Sequence, residues 1–283
     1  SALHLSERRF FYHKLLNAER MLIEKGETIY PDNYDLNENY NPDCFAFGKT
    51  YTVVLNPIGG SVDEFDYLPY SVNLFDTVAA WDKVSHCVSK LTSFTDSIAI
   101  NGNIHDYKEV CYEMDILNRA RTDFIFSYQD KELGLEISKH YKLRNQTLSL
   151  EITIINHKES VVNFDYSTNV YFTMPNSSAF AYDAKRQMVL GNCLKGIKNV
   201  RFSDAEKKYI LSFTATKDFN FNEEQFSQSE ISTLGNELLY LYTRSVFEFP
   251  VQLEKEQAFT VSIATRLIDN KEKKNVFTKQ ESV

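Results

Sequence analysis

Glycine, proline, cysteine and tryptophan are all scarce in this chain of 283 residues, with 9, 6, 4 and 1 copies respectively. Because glycine and proline are so few, most turns must be formed by Asn, Asp and Ser, which is typical of antiparallel sheets rather than of alternating β-α-β units. The sequence contains neither a G-x-S-x-G elbow nor a glycine-rich phosphate loop. No motif therefore indicates an α/β-hydrolase or a nucleotide-binding enzyme.

The four cysteines are widely spaced, form no C-x-x-C pair and have no histidine at metal-ligand spacing. They are Cys44, Cys87, Cys111 and Cys193. This excludes the usual zinc and redox-dithiol patterns, and we predict neither a metal nor a cofactor. The N-terminus also lacks an export signal, so we expect reduced thiols and a cytoplasmic protein. We further expect the chain to begin within a longer protein.

Positive charge and long apolar runs are lacking as well. The formal net charge is -8, the isoelectric point is about 5.4 and the mean hydropathy is -0.37. Because binding to a phosphate backbone needs clustered cations, we expect no nucleic-acid partner. Because no apolar run is long enough to cross a bilayer, we expect no membrane partner.

The first residues predict a helix with one apolar stripe. Between Ser6 and Lys25 apolar residues recur at steps of four, three and four, as Phe11, Leu15, Ala18 and Leu22. This spacing places them along one side of a helix that Gly26 can end. Because Phe10 and Leu16 widen the apolar surface, we expect the helix to pack against a larger body, such as a neighbouring domain.

Beyond Lys49 the pattern changes to strands. Two runs flank Gly59-Gly60 and predict a hairpin, because paired glycines accept the positive φ of a tight turn. Later runs alternate with a period of two, for example Leu135, Ile137, Lys139 and Tyr141 on one face. We divide the chain into a terminal helix of a preceding helical region at 1–26, a connector at 27–48, a β-sandwich at 49–270 and a charged tail at 271–283.

Several short segments occur in an order that resembles a known family. In chain order they are Asp32, Tyr34-Asp35-Leu36, Gly59-Gly60, Glu64-x-Asp66, Asn73-Leu74 and His86. The order is similar to the C-terminal β-sandwich region of α-amylases and 4-α-glucanotransferases of glycoside hydrolase family 57. The segments 15–24 and 115–126 extend the likeness on either side.

The resemblance implies a fold, a role and a partner. The fold is mainly β, a large antiparallel β-sandwich of the galactose mutarotase-like (supersandwich) type with an N-terminal helix. The family's nucleophile and acid lie in an N-terminal catalytic barrel, and no part of that barrel is present in this sequence. The resemblance therefore implies a non-catalytic domain that supports the barrel and contacts α-1,4-glucan.

Four residues are candidate carbohydrate contacts: Trp81, Glu64, Asp66 and His86. Glu64 and Asp66 lie two apart on a strand, so their Cβ atoms are about 7 Å apart on one face. That spacing is near the range of inverting glycosidases, although a solvated surface is the commoner setting for such a pair. Trp81 either stacks on a glucose ring or fills an interface. An independent carbohydrate-binding module remains an alternative.

A second alternative is aldose 1-epimerase chemistry, in which a histidine acts as acid and a carboxylate as base. The candidate histidines are His86, His105 and His140, and the candidate carboxylates are Glu64, Asp106 and Glu136. We expect His140 to be a surface residue in a salt bridge. We expect His105 to lie in a loop, where the neighbouring Asp106 can favour the protonated form of His105 without any catalytic role.

Overall fold

The computed structural model describes most of the chain, in eleven segments. These are residues 5–26, 43–48, 50–77, 80–81, 88–89, 91–144, 147–174, 177–182, 185–203, 209–232 and 235–269. His86 and the expected tail at 271–283 lie outside the described residues. Among the described residues, no helix has the length and the apolar composition needed to cross a membrane.

Helix α1 runs from Leu5–Glu24, close to the predicted bounds. Gly26 follows it with a φ of 75°, the left-handed conformation that ends many helices. The helix packs on a short strand at Val72–Asn73 and on a 3-10 helix at Leu68–Tyr70. It places Leu16 against the sheet, whereas the predicted stripe residues Phe11 and Leu15 are exposed.

A small antiparallel sheet lies beneath this helix. Its strands, in spatial order, are β1 (Cys44–Phe47), β2 (Tyr51–Asn56), β3 (Ser61–Tyr67) and β4 (Val72–Asn73). β1 falls within the stretch 27–48 that was expected to be a connector. The predicted hairpin is confirmed, with Gly59 and Gly60 at φ values of 69° and 50° in the turn between β2 and β3.

Both faces of β2 are buried along its whole length. One face is turned toward α1, because Tyr12 of the helix donates to Glu64 on the paired strand β3. The other face meets the large sheet, where the Tyr51 hydroxyl accepts a hydrogen bond from the Leu267 backbone at 3.0 Å. The small sheet is therefore a middle layer.

The remaining strands form a two-stranded ribbon and one large antiparallel sheet. The ribbon pairs β5 (Ala80–Trp81) with β6 (Val88–Ser89). The large sheet contains β7 (Thr95–Ile100), β8 (Asn103–Asp106), β9 (Glu113–Ile116), β10 (Asp123–Asp130), β11 (Leu135–Arg144), β12 (Thr147–Asn156), β13 (Val162–Phe172), β14 (Ala179–Tyr182), β15 (Met188–Leu190), β16 (Cys193–Ser203), β17 (Tyr209–Ser232), β18 (Gly235–Leu253) and β19 (Ala258–Asp269).

The large sheet curls so that its two ends face each other. Its main path runs β8-β7-β13-β18-β17-β19-β12-β11-β10-β9, and β14, β15 and β16 branch from β17. Phe94, next to β7, meets Tyr141 of β11 with ring centroids 6.4 Å apart, although five strands separate β7 from β11 in the path. A single core of apolar side chains fills the space between the two halves.

The strand predictions from alternation are confirmed. Along β11 and β12 buried residues alternate with partly exposed ones, as period-two spacing requires. The expectation of a loop around His105 is wrong, because Asn103–Asp106 is strand β8, paired with β7. Asn101 and Gly102 both have positive φ and form the connecting turn. An Asn-Gly pair is the usual sequence of such a turn.

Candidate functional site

The carboxylates Glu64 and Asp66 lie under α1 rather than on a solvated face. Asp66 is only 2% exposed, so the expectation of a surface pair is wrong for this residue. Tyr12 donates to Oε1 of Glu64 at 3.4 Å. Burial raises the pKa of Tyr12 far above its usual range, and Glu64, Asp76 and Asp66 raise it further. The two carboxylates therefore belong to the contact between helix and sheet.

Arginine completes that contact. Arg8 is 9% exposed, and its Nη1 lies 3.5 Å from Oδ1 of Asp76 and 3.3 Å from the Asp76 carbonyl. Arg9 donates to the Thr173 carbonyl at 3.4 Å. The helix is thus fixed to the β layers largely by polar groups, which leaves its apolar stripe outward.

Of the other two predicted carbohydrate contacts, Trp81 lies in the β5–β6 ribbon. Trp81 belongs to β5, and its backbone pairs with Val88 of β6. The described part of the structure does not include the Trp81 side chain or any part of His86. Their contact with sugar stays a prediction.

Among the described residues, neither His105 nor His140 is hydrogen-bonded to the candidate carboxylates Asp106 and Glu136. His140 is confirmed as a salt-bridged residue, with Nε2 on Oδ1 of Asp123. Glu136 does not pair with it but with His157, whose Nε2 lies 3.1 Å from Oε2. Hydrogen bonds that the His157 ring donates to Glu136 and Glu256 raise the pKa of His157.

His105 stands on β8 opposite Ile98. Among the described residues it makes no hydrogen bond to a carboxylate that could act as its base. Its neighbour Asp106 accepts a hydrogen bond from the Lys108 backbone at 3.0 Å and lies 3.5 Å from the Lys108 Nζ. In the described part of the chain no three His, Cys, Asp or Glu side chains are grouped to hold a metal ion.

An ion pair is enclosed in the core beneath the Gly59-Gly60 turn. Lys139 of β11 and Asp96 of β7 are both fully buried, with Nζ 2.8 Å from Oδ2. Lys139 also donates to the carbonyls of Gly59, at 3.1 Å, and Phe94. Burial lowers the pKa of Lys139, and the nearby Asp96 carboxylate partly offsets this by raising it. The pair ties the turn to both ends of the curled sheet.

Tyrosine side chains surround this pair. Tyr166 donates to Oδ1 of Asp96 at 2.6 Å, and Tyr141 donates to the Gly60 carbonyl at 2.7 Å. The ring of Tyr112 lies 5.8 Å from Nζ of Lys139. Burial raises the pKa of all three hydroxyls well above the usual range, and the Asp96 carboxylate raises it further. All three hydroxyls therefore stay protonated, and those of Tyr166 and Tyr141 act as donors.

The backbone at the ion pair is strained. Phe94 is fully buried and has a φ of 62°, which is rare for a bulky side chain. Its carbonyl accepts from Lys139, and its amide donates to the Asn169 carbonyl at 2.6 Å. Strain of this kind is retained where neighbouring contacts enforce it, and it clusters near functional sites.

A cleft of about 400 Å³ adjoins this strained region. We call it the Lys108 cleft, and it is lined by Asn56, Ile58, Leu91, Thr92, Thr95, Lys108, Glu109 and Tyr171. Its volume is in the range of about 300–1,000 Å³ found for small-molecule sites. Ile58 precedes the glycine turn and Thr95 lies between Phe94 and Asp96, so the cleft adjoins the residues around the buried ion pair. It is the candidate site.

Another buried carboxylate lies elsewhere on the inner face of the sheet. Glu223 of β17 is 6% exposed and faces Ser245 of β18 in the ladder. Gln225 donates to its Oε1 at 3.4 Å, whereas Oε2 and the Ser245 hydroxyl are buried with no partner among the described residues. Burial raises the pKa of Glu223.

Comparison with known proteins gives matches in structure only. No family model and no curated protein matches the chain. The 4-α-glucanotransferase of Thermococcus litoralis is similar over 92% of this chain, with a TM-score of 0.69 and 11% identity. This chain spans 42% of that protein.

Smaller proteins match over nearly their whole length. A putative aldose 1-epimerase of Escherichia coli K12 is similar over 80% of this chain and 99% of its own, with a TM-score of 0.55 and 9% identity. A galactose mutarotase-related enzyme of Lactobacillus acidophilus gives a TM-score of 0.54 over 81% of this chain and 98% of its own, at 10% identity. This chain has the galactose mutarotase-like fold. At such identities the galactose mutarotase-like fold alone is shared, and activity does not follow from it.

Sequence reasoning missed the Lys108 cleft and the ion pair beneath it. Alternation placed Lys139 on the face of Leu135, Ile137 and Tyr141, which is the buried face. A lysine on an otherwise apolar face is a usable signal of a buried charge with a partner. No sequence signal identifies Asp96 as that partner, since it lies 43 positions away.

Proposed function

We propose that this chain is the non-catalytic β-sandwich domain of a cytoplasmic α-glucan-processing enzyme of glycoside hydrolase family 57. The observation that carries the proposal is the likeness to the glucanotransferase, which extends over 92% of this chain at a TM-score of 0.69. The likeness to the putative epimerase extends over 80% at 0.55. The whole enzyme would cleave α-1,4-glucosidic bonds with retention, and transfer the product to water or to another glucan.

The exposed side of α1 supports a partner on the N-terminal side. Phe10, Phe11 and Leu15 are 59%, 69% and 53% exposed, and Met21 is 57% exposed. Contiguous exposed apolar side chains of this size usually mark an interaction surface. In the proposal they contact the catalytic barrel, which α1 links to the sandwich.

Aldose 1-epimerase chemistry has less support. It needs a histidine and a carboxylate that face one sugar, whereas His140 is bound to Asp123 and Glu136 to His157. His105 and Asp106 lie on the outer hairpin β7–β8, where Asp106 contacts Lys108.

The proposal is tested by activity and by gene structure. We expect the chain to leave maltooligosaccharides unchanged by chromatography and to leave the rate of glucose mutarotation at its buffer value by polarimetry. We expect the coding sequence before Ser1 to encode a barrel with two facing carboxylates. Turnover by the chain alone would contradict the non-catalytic role, and a gene without such a barrel would contradict the enzyme assignment.

A further inference from the structure

Three aromatic side chains form a row on the outer face of the large sheet. This aromatic row consists of Tyr171 on β13, Tyr242 on β18 and Phe226 on β17, and each side chain is half-buried. The rings of Phe226 and Tyr242 are stacked with centroids 4.6 Å apart. Tyr171 meets Tyr242 edge to face at 5.8 Å. The row presents a continuous, partly exposed apolar strip.

The strand ladders explain why these residues share one face. Phe226 lies opposite Tyr242, and Tyr171 lies opposite Arg244, two residues from Tyr242. Their sequence neighbours Phe172 and Thr243 are fully buried on the inner face. Because successive side chains of a strand alternate between faces, the row is directed outward.

The row continues into the Lys108 cleft, because Tyr171 lines both. The charges of Arg244, Asp106 and Lys108 all act on the Tyr171 hydroxyl, which places these groups around one end of the row. On the far side of the cleft lie Asn56 and Thr95. An apolar strip thus runs into a recess lined by hydrogen-bonding groups, the usual composition of a small-molecule site.

Arg244 is held in place beside the row. Its Nε and Nη2 both donate to Oδ1 of Asn169, at 3.1 and 2.9 Å. Asn169 in turn donates to the Thr95 carbonyl at 3.3 Å. A side-chain hydrogen bond also joins Arg244 to Tyr171, so the guanidinium is held next to the aromatic surface.

The balance of charge favours a neutral ligand. Two cations, Arg244 and Lys108, stand against the anions Asp106, Glu109 and Glu224, and Glu224 lies opposite Arg244 in the ladder. Lys108 is already 3.5 Å from Asp106. A phosphorylated or polyanionic ligand would meet more negative than positive charge here. Neutral hydroxyl groups, in contrast, can use both the donors and the acceptors.

We propose that the aromatic row and the Lys108 cleft bind a neutral oligosaccharide. The apolar faces of its pyranose rings lie on Tyr171, Tyr242 and Phe226, and its hydroxyls bond to Arg244 and to the polar groups of the cleft. The choice of an α-1,4-glucan as this oligosaccharide rests on the proposed function. The neutral-saccharide site itself rests only on the geometry.

The test titrates the chain with maltoheptaose and with cellohexaose up to a ligand concentration of about 10 mM, the range in which weak sites saturate. NMR or calorimetry measures the binding. We expect saturable binding of maltoheptaose that Tyr242→Ala weakens by about fivefold or more. Tyr242→Phe keeps the ring and should bind as the parent chain does. Tyr182→Ala is the matched control, since Tyr182 is half-buried and packs on Arg201 away from the row.

The outcomes separate this site from the proposed function. Row-dependent binding of cellohexaose alone would support the neutral-saccharide site and contradict the α-glucan assignment. Absence of binding by both oligosaccharides would overturn the site. Binding that Tyr242→Ala leaves intact, or that Tyr182→Ala weakens equally in a chain whose thermal unfolding is unchanged, would also overturn it.

Discussion

At the scale of single residues, the pair of Asp96 and Lys139 places two charges in the core, where each needs a compensating partner. Both side chains are removed from water, and their charges are compensated by each other, by two backbone carbonyls and by Tyr166. Removing one partner of such a pair leaves the other charge buried and uncompensated. Replacing both partners leaves no uncompensated charge in the core.

We therefore expect Asp96→Leu and Lys139→Met each to lower the free energy of unfolding by about 3–5 kcal/mol. The double variant should lose less than the sum of the two single losses, because no charge is then left unpaired. Urea denaturation of all four proteins measures this cycle.

The matched control is the exposed pair of Lys255 and Glu159, whose atoms are 2.6 Å apart but lie in solvent. Lys255→Met should change stability by less than about 1 kcal/mol. Strictly additive losses at Asp96 and Lys139 would contradict the account of a coupled buried pair.

Glu223 gives a prediction about pH. Its pKa in the folded chain is raised above the usual 4.5 by burial. Between 4.5 and that higher value the folded state binds more protons than the unfolded state, so stability falls as pH rises through this interval. Glu223→Gln should remove the fall and stabilise the protein at pH 7 by about 1 kcal/mol.

Urea denaturation at pH 4 and pH 7 checks this expectation, and the advantage of Glu223→Gln should vanish at the lower pH. The neighbouring exposed residue supplies the control, since Glu224→Gln has no burial to relieve. An equal gain at both pH values would show that the effect does not come from ionisation.

At the scale of elements, α1 reverses the usual arrangement of an amphipathic helix. Its apolar residues Phe11 and Leu15 are exposed, whereas Arg8 and Glu19 are buried. Spacing alone predicted the helix and the stripe, because both follow from local periodicity. The direction in which the stripe points depends on Asp76 and Thr173, which are distant in sequence, so no local pattern could give it.

We expect Arg8→Ala to loosen α1 from the β layers, because it removes the Arg8 contacts with the buried Asp76 carboxylate and carbonyl. The loss should be about 1–3 kcal/mol. Phe11→Ser, in contrast, should change stability by no more than about 0.5 kcal/mol, since the ring is exposed.

Hydrogen exchange of the α1 amides distinguishes these variants. Faster exchange along α1 in Arg8→Ala, with the β strands unchanged, is the expected result. Equal protection of the helix in Arg8→Ala and in the parent chain would show that the polar contacts do not hold it.

At the scale of the whole molecule, alternation and the resemblance together predicted the galactose mutarotase-like sandwich, and the comparison of structures agrees. Alternation also assigned Leu135, Ile137 and Tyr141 to a buried face. The closure of the sheet was beyond prediction, because contacts such as Phe94 with Tyr141 join strands from opposite ends of the path. For the same reason the Lys108 cleft, built from four separate segments, could not be assembled from local spacing.

The position of β19 has a consequence for how the chain is made. This last described strand, Ala258–Asp269, lies in the middle of the sheet between β12 and β17. During synthesis the edges of β12 and β17 that pair with β19 stay unpaired until Ala258–Asp269 leaves the ribosome. Unpaired strand edges can pair with wrong partners. A premature stop before Ala258 would thus remove a strand from the middle of the sheet rather than trim its edge.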